Sequence, residues 1–112
     1  MISIAIPVYK SRFLDVAIRS VLNQTFTDFE LIILNDRSPD NIKEIIKKNN
    51  DSRIRYYEND INIGQDNLIS VWNQCLSYAQ GDRFVLFSDD DIYDQSFLEE
   101  MNKISNKYPE TD

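Results

Sequence analysis

The chain has 112 residues, 42% hydrophobic and 28% charged, with a net charge of −7, which suits one compact domain of ordinary globular composition. One cysteine, Cys75, and no histidine exclude an internal disulfide framework and a histidine-bearing zinc cluster, and no apolar run approaches the roughly 20 residues needed to span a bilayer. Between Asp82 and Glu100 seven carboxylates face a single base, Arg83, so the negative charge is concentrated locally and the balance argues against a basic nucleic-acid-binding face.

Ile2 to Pro7 is an apolar run of strand length that Pro7 is expected to stop. The start has no basic flank and no small-residue cleavage site, so it reads as a strand and not as a signal peptide. Leu14, Ala17, Ile18, Val21 and Leu22 recur at helical spacing. Phe29 to Leu34 is a second strand. Ser38-Pro39 is a helix start, with a capping hydroxyl followed by proline at the first helical position, and Ile42, Ile45 and Ile46 continue that helix. Arg53 to Tyr57 alternates as a third strand. Leu68, Val71, Trp72, Cys75, Leu76 and Ala79 form the apolar stripe of a third helix, with Trp72 and Cys75 read as core and Gly81 as its C-terminal cap. Phe84 to Phe87 is a fourth strand, and Phe97, Leu98, Met101 and Ile104 mark a last helix.

Strands alternating with helices, most of them near-continuously apolar, imply an α/β fold: an open, mostly parallel sheet with helices on both faces. Ligands of such sheets bind beyond the carboxyl ends of the strands. Four polar loops leave those ends, at 8–11, 35–38, 58–64 and 88–94. The last contains Asp89-Asp90-Asp91. Adjacent carboxylates repel one another, and a hard divalent cation, Mn²⁺ or Mg²⁺, offsets that cost through oxygen ligation. The competing reading is a solvated acidic turn capping the next helix. Asp36, at the end of the second strand, is placed to accept a ring N–H such as N3–H of uracil, or simply to form a turn. Tyr9 is placed to lie against a flat base, or to pack at the sheet edge. Neither the dinucleotide fingerprint G-x-G-x-x-G nor a P-loop is present.

Several segments, in order, resemble the family 2 glycosyltransferases of the GT-A fold. They are Ile4-Ala5-Ile6-Pro7-Val8-Tyr9, Ser20 to Phe26, Phe29 to Asp40, Asn62-Ile63-Gly64, Trp72-Asn73, Ala79 to Asp82, and Phe87-Ser88-Asp89-Asp90-Asp91. The resemblance runs along essentially the whole chain and implies the N-terminal, nucleotide-sugar-binding half of a GT-A domain, truncated at the C-terminus. By that resemblance Pro7, Val8 and Tyr9 border the nucleoside, Asp36 binds uracil, Asp89 contacts the ribose, and Asp90 holds the metal with Asp91 joining it. The implied reaction moves a sugar from a nucleotide diphosphate, with UDP as the expected nucleotide, to an acceptor hydroxyl with inversion and metal assistance. Acceptors would be saccharides or lipid-linked saccharides, in polysaccharide biosynthesis.

The general base, an Asp or Glu in the family, is expected beyond Asp112, so these 112 residues alone are expected to be inactive. The expected location is the cytoplasm, with a peripheral place at the inner face of the membrane as a variant. The sequence departs from the family pattern at Asn35, Ser88 and Trp72, where many members carry Asp, Asp and Arg. Two rival readings are a non-catalytic nucleotide-binding module and an Asp-dependent phosphotransfer protein. The latter places its carboxylates after the first strand, where this chain has Val8-Tyr9-Lys10.

Overall fold

The computed structural model describes residues 1–88 and 95–107. Eight elements alternate: β1 (Ile2–Val8), α1 (Leu14–Leu22), β2 (Phe29–Asn35), α2 (Ile42–Lys48), β3 (Ile54–Glu58), α3 (Leu68–Tyr78), β4 (Arg83–Leu86) and α4 (Phe97–Lys107). The strands form one sheet in the order β3-β2-β1-β4, and every pairing is parallel. Parallel neighbours need long crossovers, and the intervening helices supply them. The order places the carboxyl ends of β1 and β2 side by side, with Val8 opposite Asn35.

Side chains of a strand alternate between faces, and each face has its own core. Ile2, Ile4, Ile6 and Val8 of β1 share one face with Phe29, Leu31 and Ile33 of β2, under Leu14, Ile18 and Val21 of α1, Ile42 and Leu98. Ala5, Ile32 and Leu34 occupy the other face beneath Val71 and Cys75 of α3. Helices therefore cover both faces, as the sequence pattern implied. The aliphatic positions on β1 and β2 are fully buried, each contributing about 1.5–3 kcal/mol of transfer free energy.

The stripe on α3 is only partly core. Val71 and Cys75 are buried, but Trp72 is 40% exposed and Leu68 and Leu76 about half exposed. Gln74 and Tyr78 turn toward the β3 side, where Gln74 bonds Asn59 and Tyr78 stacks on Tyr57 with ring centroids 3.8 Å apart. Helical spacing then puts Leu68, Trp72 and Leu76 on the opposite flank, so the reading of Trp72 as core is corrected.

Three boundary expectations also change. Pro7 does not end β1, which continues through Val8. The Ala5 carbonyl accepts from Phe87 N–H on the β4 side. Pro7, two residues on, turns its nitrogen to that same side beyond the last paired residue of the ladder, so it interrupts none of the paired residues and ends the β4 ladder there instead of the strand. The second helix starts at Ile42 with Asn41 as its cap, and not at Ser38-Pro39. Asn35 Oδ1 accepts from Ser38 N–H and Ser38 Oγ from Asp40 N–H, which folds 35–40 into a turn around Arg37, the one described non-glycine residue with positive φ (56°). Finally, α3 ends at Tyr78 with extended Ala79 as C-cap. Gly81 instead lets the chain pass close to β1: a Cβ there would lie 2.5 Å from the Met1 carbonyl oxygen and 2.8 Å from Ser3 Oγ.

A polar cluster closes the amino end of the sheet below α3. Glu30, 5% exposed, accepts from Ser3 Oγ (2.5 Å), Gln80 N–H (2.6 Å) and Arg55 (2.7 Å). Burial pushes the Glu30 carboxyl up, but the bonds from Ser3, Gln80 and Arg55 outweigh it and hold it below its ordinary value.

Candidate functional site

The carboxyl ends of β1 and β2 open into a cleft of about 520 Å³. Pro7, Val8 and Tyr9 form one wall, and Asn62, Gly64 and Gln65, with Leu68 and Val71 of α3, form the other. Asp36 lies at its base. Tyr9 lines the cleft and is 45% exposed. Four expected nucleotide-binding residues, Pro7, Val8, Tyr9 and Asp36, thus come together at one place.

Asp36 is 4% exposed and heavily bonded. Its Oδ1 accepts from Asn59 Nδ2 and from Ile63 N–H, both at 2.9 Å, and its Oδ2 accepts from Gly64 N–H at 2.7 Å. Its own N–H donates to the Val8 carbonyl, and Asn62 Nδ2 donates to its carbonyl. A carboxylate has about four lone-pair positions, so one remains, on Oδ2. Asp36 therefore ties the 59–64 loop to the sheet as well as walling the cleft. Gly64 is required by closeness, since a Cβ there would sit 2.7 Å from Asp36 Oδ2.

Asn59 is itself held. Its side-chain amide and that of Gln74 exchange hydrogen bonds at 3.1 and 2.6 Å, and Gln74 also donates to Tyr78 Oη. This relay joins residues fifteen apart and has little signature in the sequence. Its signal was Gln74, a polar residue on the inward flank of an otherwise apolar stripe. Cys75, nearby, is no nucleophile: burial pushes its thiol up to about 11, and Asp36 adds to the shift.

A second, more polar hollow of about 470 Å³ adjoins the first across Tyr9, lined by Asn35, Arg37, Ser38, Glu58 and Asn59 among others. Here Asn35, where the family often has Asp, donates to Tyr56 Oη (2.9 Å) while its oxygen holds the turn at Ser38. Because the Tyr56 hydroxyl gives its proton to Glu58, it takes a donor from Asn35; an aspartate would keep the bond to Ser38 and lose the one to Tyr56 in this arrangement.

Asp89, Asp90 and Asp91 lie outside the described residues; the two ends of their loop do not. At the first end, Phe87 N–H donates to the Ala5 carbonyl (2.8 Å), which carries the chain alongside β1 toward the cleft. At the second, Thr25 N–H donates to the Gln95 carbonyl (2.7 Å), and buried Gln24 accepts from Leu98 N–H (2.9 Å) at the start of α4. Gln24 and Thr25 thus tie the chain at Gln95 and Leu98 to the end of α1, a role the sequence did not disclose. Among the described residues no group of three or more potential metal ligands forms. The residues expected from the sequence to hold a cation, Asp89 to Asp91, would offer hard oxygen donors, a chemistry suited to Mn²⁺ or Mg²⁺. No described helix is long and apolar enough to cross a membrane.

Comparison with known proteins gives a consistent result. The model for the glycosyl transferase family 2 matches residues 3–110. The chain is 37% identical over 94 residues to the putative colanic acid biosynthesis glycosyl transferase WcaA of Escherichia coli K12, covering 81% of this chain and 33% of that protein. It is 36% identical over 101 residues to the UDP-Glc:alpha-D-GlcNAc-diphosphoundecaprenol beta-1,3-glucosyltransferase WfgD of Escherichia coli, covering 88% and 38%. In fold it matches the crystal structure of S. aureus TarS 1-349 in complex with UDP, with a TM-score of 0.86 at 21% identity over 96% of this chain and 32% of that one. The chain spans about a third of the length of these proteins. With the family model matched along nearly its whole length, the chain belongs to glycosyl transferase family 2.

Proposed function

We propose that this chain is the donor-binding part of a glycosyltransferase that uses a UDP-sugar. The observation that carries the reading is the cleft at the β1–β2 carboxyl edge, in which a buried carboxylate keeps one acceptor position beside an exposed tyrosine. Uracil fits that pair: its N3–H meets Asp36, and its face lies on Tyr9 while Pro7 and Val8 border the nucleoside. The relative named as a UDP-Glc-dependent glucosyltransferase and the UDP complex of the matching fold support the choice of nucleotide.

Asp89 would contact the ribose, and Asp90 with Asp91 would hold Mn²⁺ or Mg²⁺, which supplies charge neutralisation for the leaving diphosphate. The sugar passes to an acceptor hydroxyl with inversion, which needs a carboxylate base to take the acceptor proton. Asp36 is the one carboxylate among the described residues lining the cleft, and three of its four acceptor positions are occupied. The base therefore comes from elsewhere in the enzyme. The acceptor in this reading is a saccharide or a lipid-linked saccharide; the name of the diphosphoundecaprenol-dependent relative supports the second, and a lipid-linked acceptor would call for a cytoplasmic enzyme peripheral at the inner face of the membrane.

Calorimetric titration of UDP, with and without Mn²⁺, tests the reading. Saturable 1:1 binding that tightens with the metal is expected. No binding under either condition contradicts it.

A further inference from the structure

The cleft has few polar groups left to spend on a base. Gly64 and Ile63 give their N–H groups to Asp36. Asn62 donates its amide to the Asp36 carbonyl and accepts from Gln65 N–H at 2.7 Å. Pro7 has no N–H, and Val8, Leu68 and Val71 have apolar side chains. Two polar side chains remain uncommitted among the described residues lining the cleft: the Tyr9 hydroxyl and the Gln65 amide. A tyrosine stacked on a base carries its hydroxyl in a parallel plane about 3.5 Å away, so it cannot donate in the plane of the base.

Resting on the UDP reading above, we propose that Gln65 is a specificity-determining residue that reads the base together with Asp36. Asp36 offers an acceptor to N3–H, and the Gln65 amide donates to the C4 carbonyl beside it, the position at which cytosine carries an amino group instead. Acceptor and donor together match uracil. Cytosine fails at Asp36, where its N3 is a second acceptor facing a carboxylate. Gln65 precedes the first residue of α3 and is exposed. The bond that fixes its backbone, from its N–H to Asn62, does not involve its side chain. The side chain can therefore change without loss of the loop.

The test is titration of UDP and CDP, with Mn²⁺, against the unaltered chain and Gln65→Leu, which keeps the bulk and removes the amide. UDP should weaken about 10-fold, the size of one hydrogen bond to an uncharged group. CDP should change by less, so the UDP-to-CDP preference narrows. A purely structural role would move both ligands equally, and would also lower the urea midpoint, which is expected to stay the same. Unchanged UDP affinity, or equal losses for UDP and CDP, overturns the role of Gln65 while leaving the donor site standing. Failure of the unaltered chain to bind UDP overturns both.

Discussion

Truncating Asp36 to alanine should cost stability before it costs binding. The carboxylate accepts from Asn59 Nδ2, Ile63 N–H and Gly64 N–H, and Asp36→Ala removes all three acceptor contacts. Asn59 keeps its bond to Gln74, but the two backbone donors lose their partner. A buried donor left unsatisfied costs about 1–3 kcal/mol. Ile63 and Gly64 are only half-buried, so water recovers part of this, and a total near 3 kcal/mol is expected. For a domain of this size that is about 12–15 °C in Tm, and a large share of the roughly 5–15 kcal/mol that holds such a domain folded. Asp36→Asn retains one oxygen and should lose about half as much. Urea unfolding of the three proteins, compared at unchanged m-value, reads the difference. A loss below about 1 kcal/mol for Asp36→Ala would show that the carboxylate does not anchor the 59–64 loop.

Other consequences are as specific. Gly64→Ala sets a methyl 2.7 Å from Asp36 Oδ2, so it should weaken UDP binding several-fold and lower stability by about 1–2 kcal/mol, both measurable on one preparation. Gly81→Ala meets backbone as well as side chain, with the Met1 carbonyl oxygen at 2.5 Å. It should cost about 2–4 kcal/mol in urea unfolding with no specific effect on nucleotide affinity. Glu30 has a folded-state carboxyl held below its ordinary 4.5, so its stabilisation is fully present above about pH 4.5 and is lost as pH falls through the lower folded value. Stability followed by urea melts from pH 5 to 3 should therefore decline more steeply in the unaltered chain than in Glu30→Gln. Asp90→Asn should leave the free protein no less stable, because repulsion with Asp89 and Asp91 is relieved, yet abolish the enhancement of UDP binding by Mn²⁺. Wild-type Mn²⁺ dependence in that variant moves the metal role to its neighbours.

The periodicities of the sequence carried most of the fold. The continuous apolar runs Ile4-Ala5-Ile6 and Leu31 to Leu34 read as strands buried on both faces, and Leu14-Ala17-Ile18-Val21 as a helix lying on one of them. What they did not carry was anything decided by contact between distant residues. Ser38-Pro39 looks locally like a helix start, but the Asn35 side chain captures Ser38 N–H and delays the helix to Ile42. Gly81 looks like a cap, but its smallness answers Met1 and Ser3, some eighty residues earlier. In the cleft, Pro7, Val8, Tyr9 and Asp36 were legible because strand ends converge in a parallel sheet. The anchoring role of Asp36 was not, since its donors lie on a loop more than twenty residues away, and Asn59 and Gln74 matter only through it.

Whether the cleft is a uracil nucleotide site is decided by thermal melting with UDP, ADP and GDP at equal concentration in the presence of Mn²⁺. Binding to the folded state alone stabilises it by about 2.7 kcal/mol at 100 times Kd, which is about 10 °C or more for a domain of this length. UDP should raise Tm clearly more than ADP or GDP, and the excess should shrink in Gln65→Leu. Equal shifts for all three diphosphates would contradict a uracil site, because a site reading only the diphosphate and its metal would treat them alike.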